Sequence, residues 1–315
     1  MADESLLTVV IAFTANLAVA IAKTGAALIT GSASLVAEAA HSWADTGNEI
    51  FLIVAERRSR RDRDSSHPQG YGKEAYVWSM FAAFGIFSAG AVLSVQHGVQ
   101  ELISGESSGS FWLAYLVLGL SAILEGISFL RSLQQVRKAA REHHHRTIEQ
   151  VIVTSNPTLR AVFAEDAAAL IGLGLAFLGI LLHQLTGSAV YDAAGSICIG
   201  LLLAGVAIVL IERNRQFLLG QPIEEETRQL ALQELLDRPD VDRVTYLHIE
   251  YAGPETLFLV AAIDVAGNQP EDKVANTLRR IEHDIENDPH VAEAVLTLSS
   301  PDDASLIANP PVYDS

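Results

Sequence analysis

The pattern of apolar and polar positions changes character at about residue 215. Before it, long apolar runs alternate with short polar connections, and a membrane-spanning helix needs about 20 mostly apolar residues. Ser5–Ala22 carries no charge over 18 residues and continues past Lys23 to Thr30. Residues 32–55 are apolar but interrupted by acids. Ala75–Gln100 contains no Asp, Glu, Lys or Arg, and Ser107–Leu124 extends past Glu125 to Leu130. A fifth run crosses Glu165 and Asp166 between Leu159 and Leu182, and Ala193–Ile211 adds 19 uncharged residues. The pattern predicts an α-helical membrane protein with six transmembrane helices in residues 1–215. Beyond 216 the periods differ. Glu224–Asp237 has helical spacing, with acids at its start where the helix dipole favours them. Val241–Glu250 and Thr256–Val265 read as strands around the turn Ala252-Gly253-Pro254-Glu255. Pro270–Glu286 reads as a second helix and Val291–Leu298 as a third strand. That αββαβ order predicts a small two-layer α+β domain over 216–300, with 301–315 as a loose tail.

Charge sharpens this division. The 315-residue chain has a net charge of −17, yet only 19% of its residues are charged. Residues 216–315 hold 20 acids against 6 bases, so the acidity belongs almost entirely to the small domain. One cysteine, Cys198, excludes a disulfide framework. An acidic chain with no long basic tract is not expected to bind nucleic acid. Asp3 and Glu4 stand where a secretory signal would be basic, so no cleavable signal is expected. Lys and Arg collect in the connections after the second, fourth and sixth runs, and are absent from 30–33, 98–110 and 183–191. The positive-inside rule then places both termini in the cytoplasm, with a bacterial inner membrane as the expected location.

Ionisable residues within spans are costly and mark function. Glu38, His41, Asp45 and Glu49 fall within an arc of about 80° at about 100° per residue, one stripe on the second helix. His41 and Asp45 are spaced i, i+4, so both can touch one ion. Glu165 and Asp166 on the fifth helix, and Glu125 on the fourth, lie at similar depth. Imidazole with carboxylates suits Zn²⁺ and tolerates Mn²⁺, Fe²⁺ or Co²⁺. Interhelical hydrogen bonding and a metal-free proton relay use the same residues and stay open. Lys23 and Asp192 read as snorkelling or helix-end residues, and Asn16 as interhelical glue. No nucleophile elbow, HExxH motif or phosphate loop is present, so an enzyme is not expected.

Four stretches carry a resemblance: ANLAVAIAKTGAALITGSASLVAEAAHSWADTGNE (15–49), HPQGYGKEAYVW (67–78), FAEDAAALIGLGLAFLG (163–179) and YDAAGSICIG (191–200). The sequence resembles the cation diffusion facilitator family of metal–proton antiporters. The LEG of the fourth span and the TSNP…ED approach to the fifth look like the branch containing zinc transporter nine. The resemblance implies a transport site of two i, i+4 pairs, which His41 and Asp45 and, on the fifth span, Asp166 match. The remaining position is Val162, a departure from the pattern that Glu165, Glu125 or Asn48 would have to repair. A loop site of the family maps onto Asp64 and His67, with Tyr71 in place of a third ligand. A turn that fixes the loop is the alternative there. His248, His283 and His290 do not match the family's tail-domain metal site, and His143–His145 form a short histidine loop. The resemblance further implies a homodimer in the lipid bilayer, no prosthetic group, and Zn²⁺ and H⁺ as transported ions. Transport of Mn²⁺, Fe²⁺ or Co²⁺, or a non-transporting metal sensor or scaffold, are the alternatives.

Overall fold

The computed structural model describes residues 2–104, 111–142, 151 and 154–309. These form two compact units. One comprises the described residues of Met1–Arg57 and Tyr76–Arg215, the other those of Arg58–Ala75 and Gln216–Ser315.

The first unit is helical. Its elements are α1 (Ala2–Thr30), α2 (Ala33–Ser59), α3 (Glu74–Ala82), α4 (Ser88–Ser104), α5 (Phe111–Glu142), α6 (Pro157–Thr186) and α7 (Val190–Leu218). A π-helical turn, Ala83–Phe87, joins α3 to α4 into one long rod. Local signals set the helix ends. Gly31 takes φ 67° after α1, and Ser32 Oγ accepts the Leu35 amide at 3.2 Å to start α2. Asn156 caps α6 by accepting from the Thr158 and Leu159 amides, both at 3.1 Å, with Pro157 at the first helical position. Gly187, at φ 72°, closes the other end. Where α4 crosses α7 the backbones meet closely: a Cβ on Gly200 would stand 2.9 Å from the Ala91 carbonyl oxygen. Small residues at such crossings replace the hydrophobic drive that lipid does not supply.

Among the described residues, four helices are long and apolar enough to cross a membrane: Glu74–Ser104, Phe111–Ala140 of α5, α6 and α7. The described part of α1 adds a shorter apolar stretch, Asn16–Thr30, and α2 is a 27-residue helix with charges along its length. The distribution of side chains is that of a protein dissolved in lipid. Leu28, Phe84, Ile103, Trp112, Ile123, Leu201 and Ile208 face outward. Lys23, Glu38, His41, Asn48, Glu165, Asp166 and Asp192 are buried. Hydrocarbon tolerates the first set outside and drives the second set inside.

Lys23 departs from the expectation of snorkelling. It lies seven residues before the end of α1, about 10 Å along the helix, and is 1% exposed. Instead of reaching an interface, its Nζ donates to Glu38 Oε2 at 3.0 Å and stands 3.7 Å from Glu125 Oε1.

The second unit contains α8 (Glu225–Leu236), β1 (Val241–Gly253), β2 (Thr256–Val265), α9 (Glu271–Glu286) and β3 (Val291–Leu298). The sheet order is β1-β2-β3, with β1–β2 antiparallel and β2–β3 parallel. Val244, Ala261, Ile263 and Ile281 form the centre of its core with Leu232 and Leu235 of α8. Glu282 and Glu286 of α9 accept the Leu296 and Ala294 amides at 2.8 and 3.1 Å. Tying those amides keeps β3 from offering an open edge.

Two segments differ from expectation. Residues 58–75 belong with the second unit: Lys73 Nζ lies 3.7 Å from Glu250, and Gly72 packs so closely on Gly253 that a Cβ at Gly72 would stand 2.8 Å from its Cα. Residues 301–309, expected to be loose, lie against the domain. The Leu306 amide donates to the Val244 carbonyl at 2.7 Å, Leu306 and Ala308 join the core, and Arg243 Nη1 donates to the Asp303 carbonyl. Apolar burial and one backbone hydrogen bond hold what composition alone reads as a tail.

Candidate metal centre

The stripe on α2 does not act as four equal groups, because α1 and α5 engage some of them. Glu38 is bonded to Lys23. Glu49 accepts from Asn16 Nδ2 at 2.6 Å. Glu125 of α5 also stands beside Lys23 rather than joining His41. Glu38 Oε1 and Glu49 Oε2 stay buried and unbonded, so these two are half engaged, while the two middle residues show no hydrogen bond to another helix among the described residues. His41 is 1% exposed, and its Nε2 lies 3.3 Å from Asp45 Oδ1 without the alignment of a hydrogen bond. Both ring nitrogens and that carboxylate oxygen are buried and make no hydrogen bond. Buried polar atoms in native proteins are nearly always bonded, so this concentration of open ones on neighbouring turns marks a site built for a visitor.

The α6 acids divide in the same way. Glu165 accepts from Asn48 Nδ2 across the α2–α6 interface. Asp166 Oδ1 accepts from Ser128 Oγ at 2.9 Å, and its Oδ2 is buried and unbonded. Both lie within electrostatic reach of Asp45. Val162 packs against the apolar core and contributes no donor atom. His41, Asp45 and Asp166 thus each carry a buried ligating atom without a hydrogen bond. Among the described residues, however, the one set of three ligating side chains whose ligand atoms all approach within 4.8 Å is a different one: Glu101, His183 and Asp192. Repulsion between carboxylates opposes any such closure without a cation.

The loop pair is brought together but is occupied by its own turn. Asp64 Oδ1 accepts from the Ser66 and His67 amides at 2.9 and 3.0 Å and from Ser66 Oγ at 2.6 Å. Asp64 Oδ2 accepts from Tyr71 at 2.7 Å. The Ser66 and Tyr71 hydroxyls, followed by those amides, hold the Asp64 carboxyl well below the usual carboxylate range. Its contribution is therefore present above the ordinary unfolded value and is lost only in strong acid. The His67 ring stacks on Tyr71 with centroids 4.0 Å apart, and the Arg61 guanidinium carbon lies 4.4 Å from the Tyr71 ring centroid. Asp64 and His67 thus fix the loop, and Tyr71 serves the turn. In the small domain His248 pairs with Glu250 at 3.3 Å and His290 with Asp288 at 3.0 Å. His143–His145 fall outside the described residues.

Comparison with known proteins gives this geometry a family. The cation efflux transmembrane domain matches residues 9–219, which covers most of α1 and all of α2 to α7. The chain belongs to the cation efflux family. This cation efflux protein is 36% identical to metal tolerance protein C4 of Arabidopsis thaliana over 246 residues, 78% of its own length and 53% of the relative's. It is 33% identical to the mitochondrial proton-coupled zinc antiporter SLC30A9 of Xenopus laevis over 261 residues, 80% of its own length and 47% of the relative's. The human protein of that name is 35% identical over 214 residues, 68% and 38% of the two chains. The cation efflux protein therefore spans about half or less of these relatives. The expectation of a bacterial inner membrane is corrected by the same comparison: these relatives come from a plant and from vertebrates, and the antiporters among them are named as mitochondrial. Charge bias in loops reports which face of a bilayer a segment meets, not which bilayer, and so could not have made that distinction. Its membrane character stands.

Proposed function

We propose that this cation efflux protein is a secondary transporter that exchanges Zn²⁺ for protons, with His41, Asp45 and Asp166 as the transport ligands. The observation that carries the reading is the buried His41–Asp45 pair with unbonded donor atoms, inside a unit whose outer surface is apolar. The printed names of its vertebrate relatives, proton-coupled zinc antiporters, support the metal and the counter-ion. No prosthetic group enters this reading, and the protein is a transporter rather than an enzyme.

The chemistry of the ligands supplies the coupling. Zinc binds neutral imidazole and ionised carboxylate, so its arrival expels protons, and protons arriving from the other side expel zinc. One set of groups serving both ions prevents either from passing alone. Six helices cross the bilayer in this reading, α1 and α2 completing the set by turning their charged residues inward. The αββαβ unit has a ferredoxin-like order, and its −14 balance raises the cation concentration around itself. A homodimer, implied by the family resemblance, would use a face of its sheet, since the α9 glutamates cover the β3 edge.

The test is zinc flux into vesicles containing the reconstituted full chain, at two pH gradients, with Mn²⁺, Fe²⁺, Co²⁺ and Cd²⁺ as competitors. Zinc uptake is expected to rise with the gradient and to be displaced least by Mn²⁺. Flux indifferent to the gradient overturns the antiport. A metal sensor is the second reading, favoured by Val162 at a family ligand position. Zinc binding without flux would select it.

The two α6 acids are separable. Asp166→Asn is expected to slow zinc transport about 10-fold or more, because the unbonded Oδ2 is the ligand atom lost. Glu165→Gln keeps an acceptor for Asn48 and is expected to stay within about twofold of wild type. Equal losses in both variants would make Glu165 a ligand.

A further inference from the structure

A second cluster of ligating groups lies at the far end of the same helical unit. Glu101 ends α4, His183 ends α6 and Asp192 begins α7. Their ligand atoms all lie within 4.8 Å of one another, and the three residues are 6%, 8% and 1% exposed. We infer that Glu101, His183 and Asp192 form a second divalent-cation site, distinct from the His41–Asp45 centre and suited to Zn²⁺.

The geometry is built rather than incidental. Asp192 Oδ1 accepts the Ser34 amide at 3.2 Å, and Ser34 Oγ donates to the Asp192 carbonyl at 2.8 Å. This pair of hydrogen bonds between the starts of α2 and α7 fixes the carboxylate and leaves its Oδ2 buried and unbonded. Both carboxylate oxygens of Glu101 are likewise buried and make no hydrogen bond of good geometry, a contact from the Ala33 amide being the backbone approach to them. Phe111 sets the His183 ring from the side, edge to face, with centroids 5.4 Å apart. A cavity of about 10 Å³ opens between these elements, lined by Thr30, Ser32, Phe111, His183 and Asp192 among others. It has room for a single water-sized occupant.

The charge balance asks for a cation. Two carboxylates are withdrawn from water side by side, and residues 98–110 and 183–191 contain no Lys or Arg to answer them. Burying charge without a partner of opposite sign is strongly unfavourable. One imidazole and two carboxylates match the nitrogen–oxygen set that zinc takes. Ligands around one zinc stand about 3.3 Å apart, so rotations of three side chains at helix ends suffice to close the site. Ser34 precedes His41 by seven residues, about 10 Å along α2, so the two sites are about two turns apart. The connections beside the second site are those without basic residues, opposite the basic loops. An ion leaving His41 toward that side would meet Glu101, His183 and Asp192 next. That role as an exit station rests on the transport reading; the binding itself does not.

The experiment uses the full chain in lipid nanodiscs carrying His41→Ala and Asp45→Ala, so that the first site is removed. Bound zinc is counted after equilibrium dialysis at fixed free Zn²⁺, with Glu101→Gln or His183→Gln added. Asp192 is left intact because it holds Ser34. Each added substitution is expected to remove one zinc per chain. An unchanged count in both overturns the site, and it is also the result that paired protonated carboxyls would give. Should these variants not fold, zinc-edge anomalous density in the unsubstituted chain decides: a peak among the three side chains is expected, and none at saturating zinc overturns the inference. A chain that binds zinc here yet moves none across vesicles would sink the transport reading alone.

Discussion

Replacing His41 or Asp45 by alanine is expected to cut gradient-driven zinc transport by about 100-fold or more. The size follows from what remains. Outer-shell partners of metal ligands are worth about 10- to 100-fold in affinity or activity, and a ligand itself should exceed them. Glu38, Glu49 and Glu165 each have one oxygen held, by Lys23, Asn16 and Asn48, so although Glu38 Oε1 and Glu49 Oε2 are open, moving either carboxylate to the ion breaks a contact to another helix. Val162 offers no atom at all. Both variants should fold, because neither His41 nitrogen and neither side of the pair holds the helices through a hydrogen bond of good geometry. Glu49→Gln is the matched control: it preserves an acceptor for Asn16 and should leave the rate within a few-fold of wild type, about 1 kcal/mol or less. Vesicle uptake at equal protein loading is the measurement. Wild-type rate in either alanine variant would remove the pair from the transport site.

Lys23→Met is expected to destabilise the protein by about 3–5 kcal/mol, the usual loss when one partner of a buried pair is removed. Glu38 is 0% exposed and Glu125 15%, so both carboxylates would be left beside each other without a cation. The size is an effect of orphaned charge rather than the worth of the bond. Glu38→Leu added to Lys23→Met should therefore recover part of the loss, as buried pairs replaced by apolar groups often do. Thermal unfolding in nanodiscs reads both. If the single variant melts with wild type, Lys23 is not carrying the charge of these acids. If the double variant is worse than the single, Glu38 is engaged elsewhere.

The two predictions rest on residues that were visible in the chain to different degrees. Continuous apolar runs made α1, α3 with α4, α5, α6 and α7 readable, and the i, i+4 spacing singled out His41 and Asp45 before any neighbour was known. The strand β3 was readable to its ends because apolar alternation stops at Leu298. Pairings across helices were not. That Asn16 would reach Glu49, or Lys23 reach Glu38, depends on the rotation of α1 against α2, which periodicity within either helix does not encode. Residues 58–75 read as a basic connection, yet Gly72 and Lys73 draw that segment onto β1. The stretch 301–309 looked unstructured because its anchors are scattered and few: Leu306 and Ala308 in the core, the Leu306 amide on Val244, and Arg243 on the Asp303 carbonyl. Glu101 and His183 gave no signal at all: each stands alone at a helix end, and only the packing of α4, α6 and α7 makes them neighbours of Asp192.

The central claim is that one buried set of groups binds zinc and protons in alternation. Recording zinc and pH together inside the same vesicles tests it most directly, with wild type and His41→Ala run side by side. Zinc entering should be matched by protons leaving, both fluxes should collapse when a protonophore removes the gradient, and His41→Ala should lose both at once. Zinc entry with no proton counterflow, or a proton flux that survives in His41→Ala at the wild-type level, would contradict it.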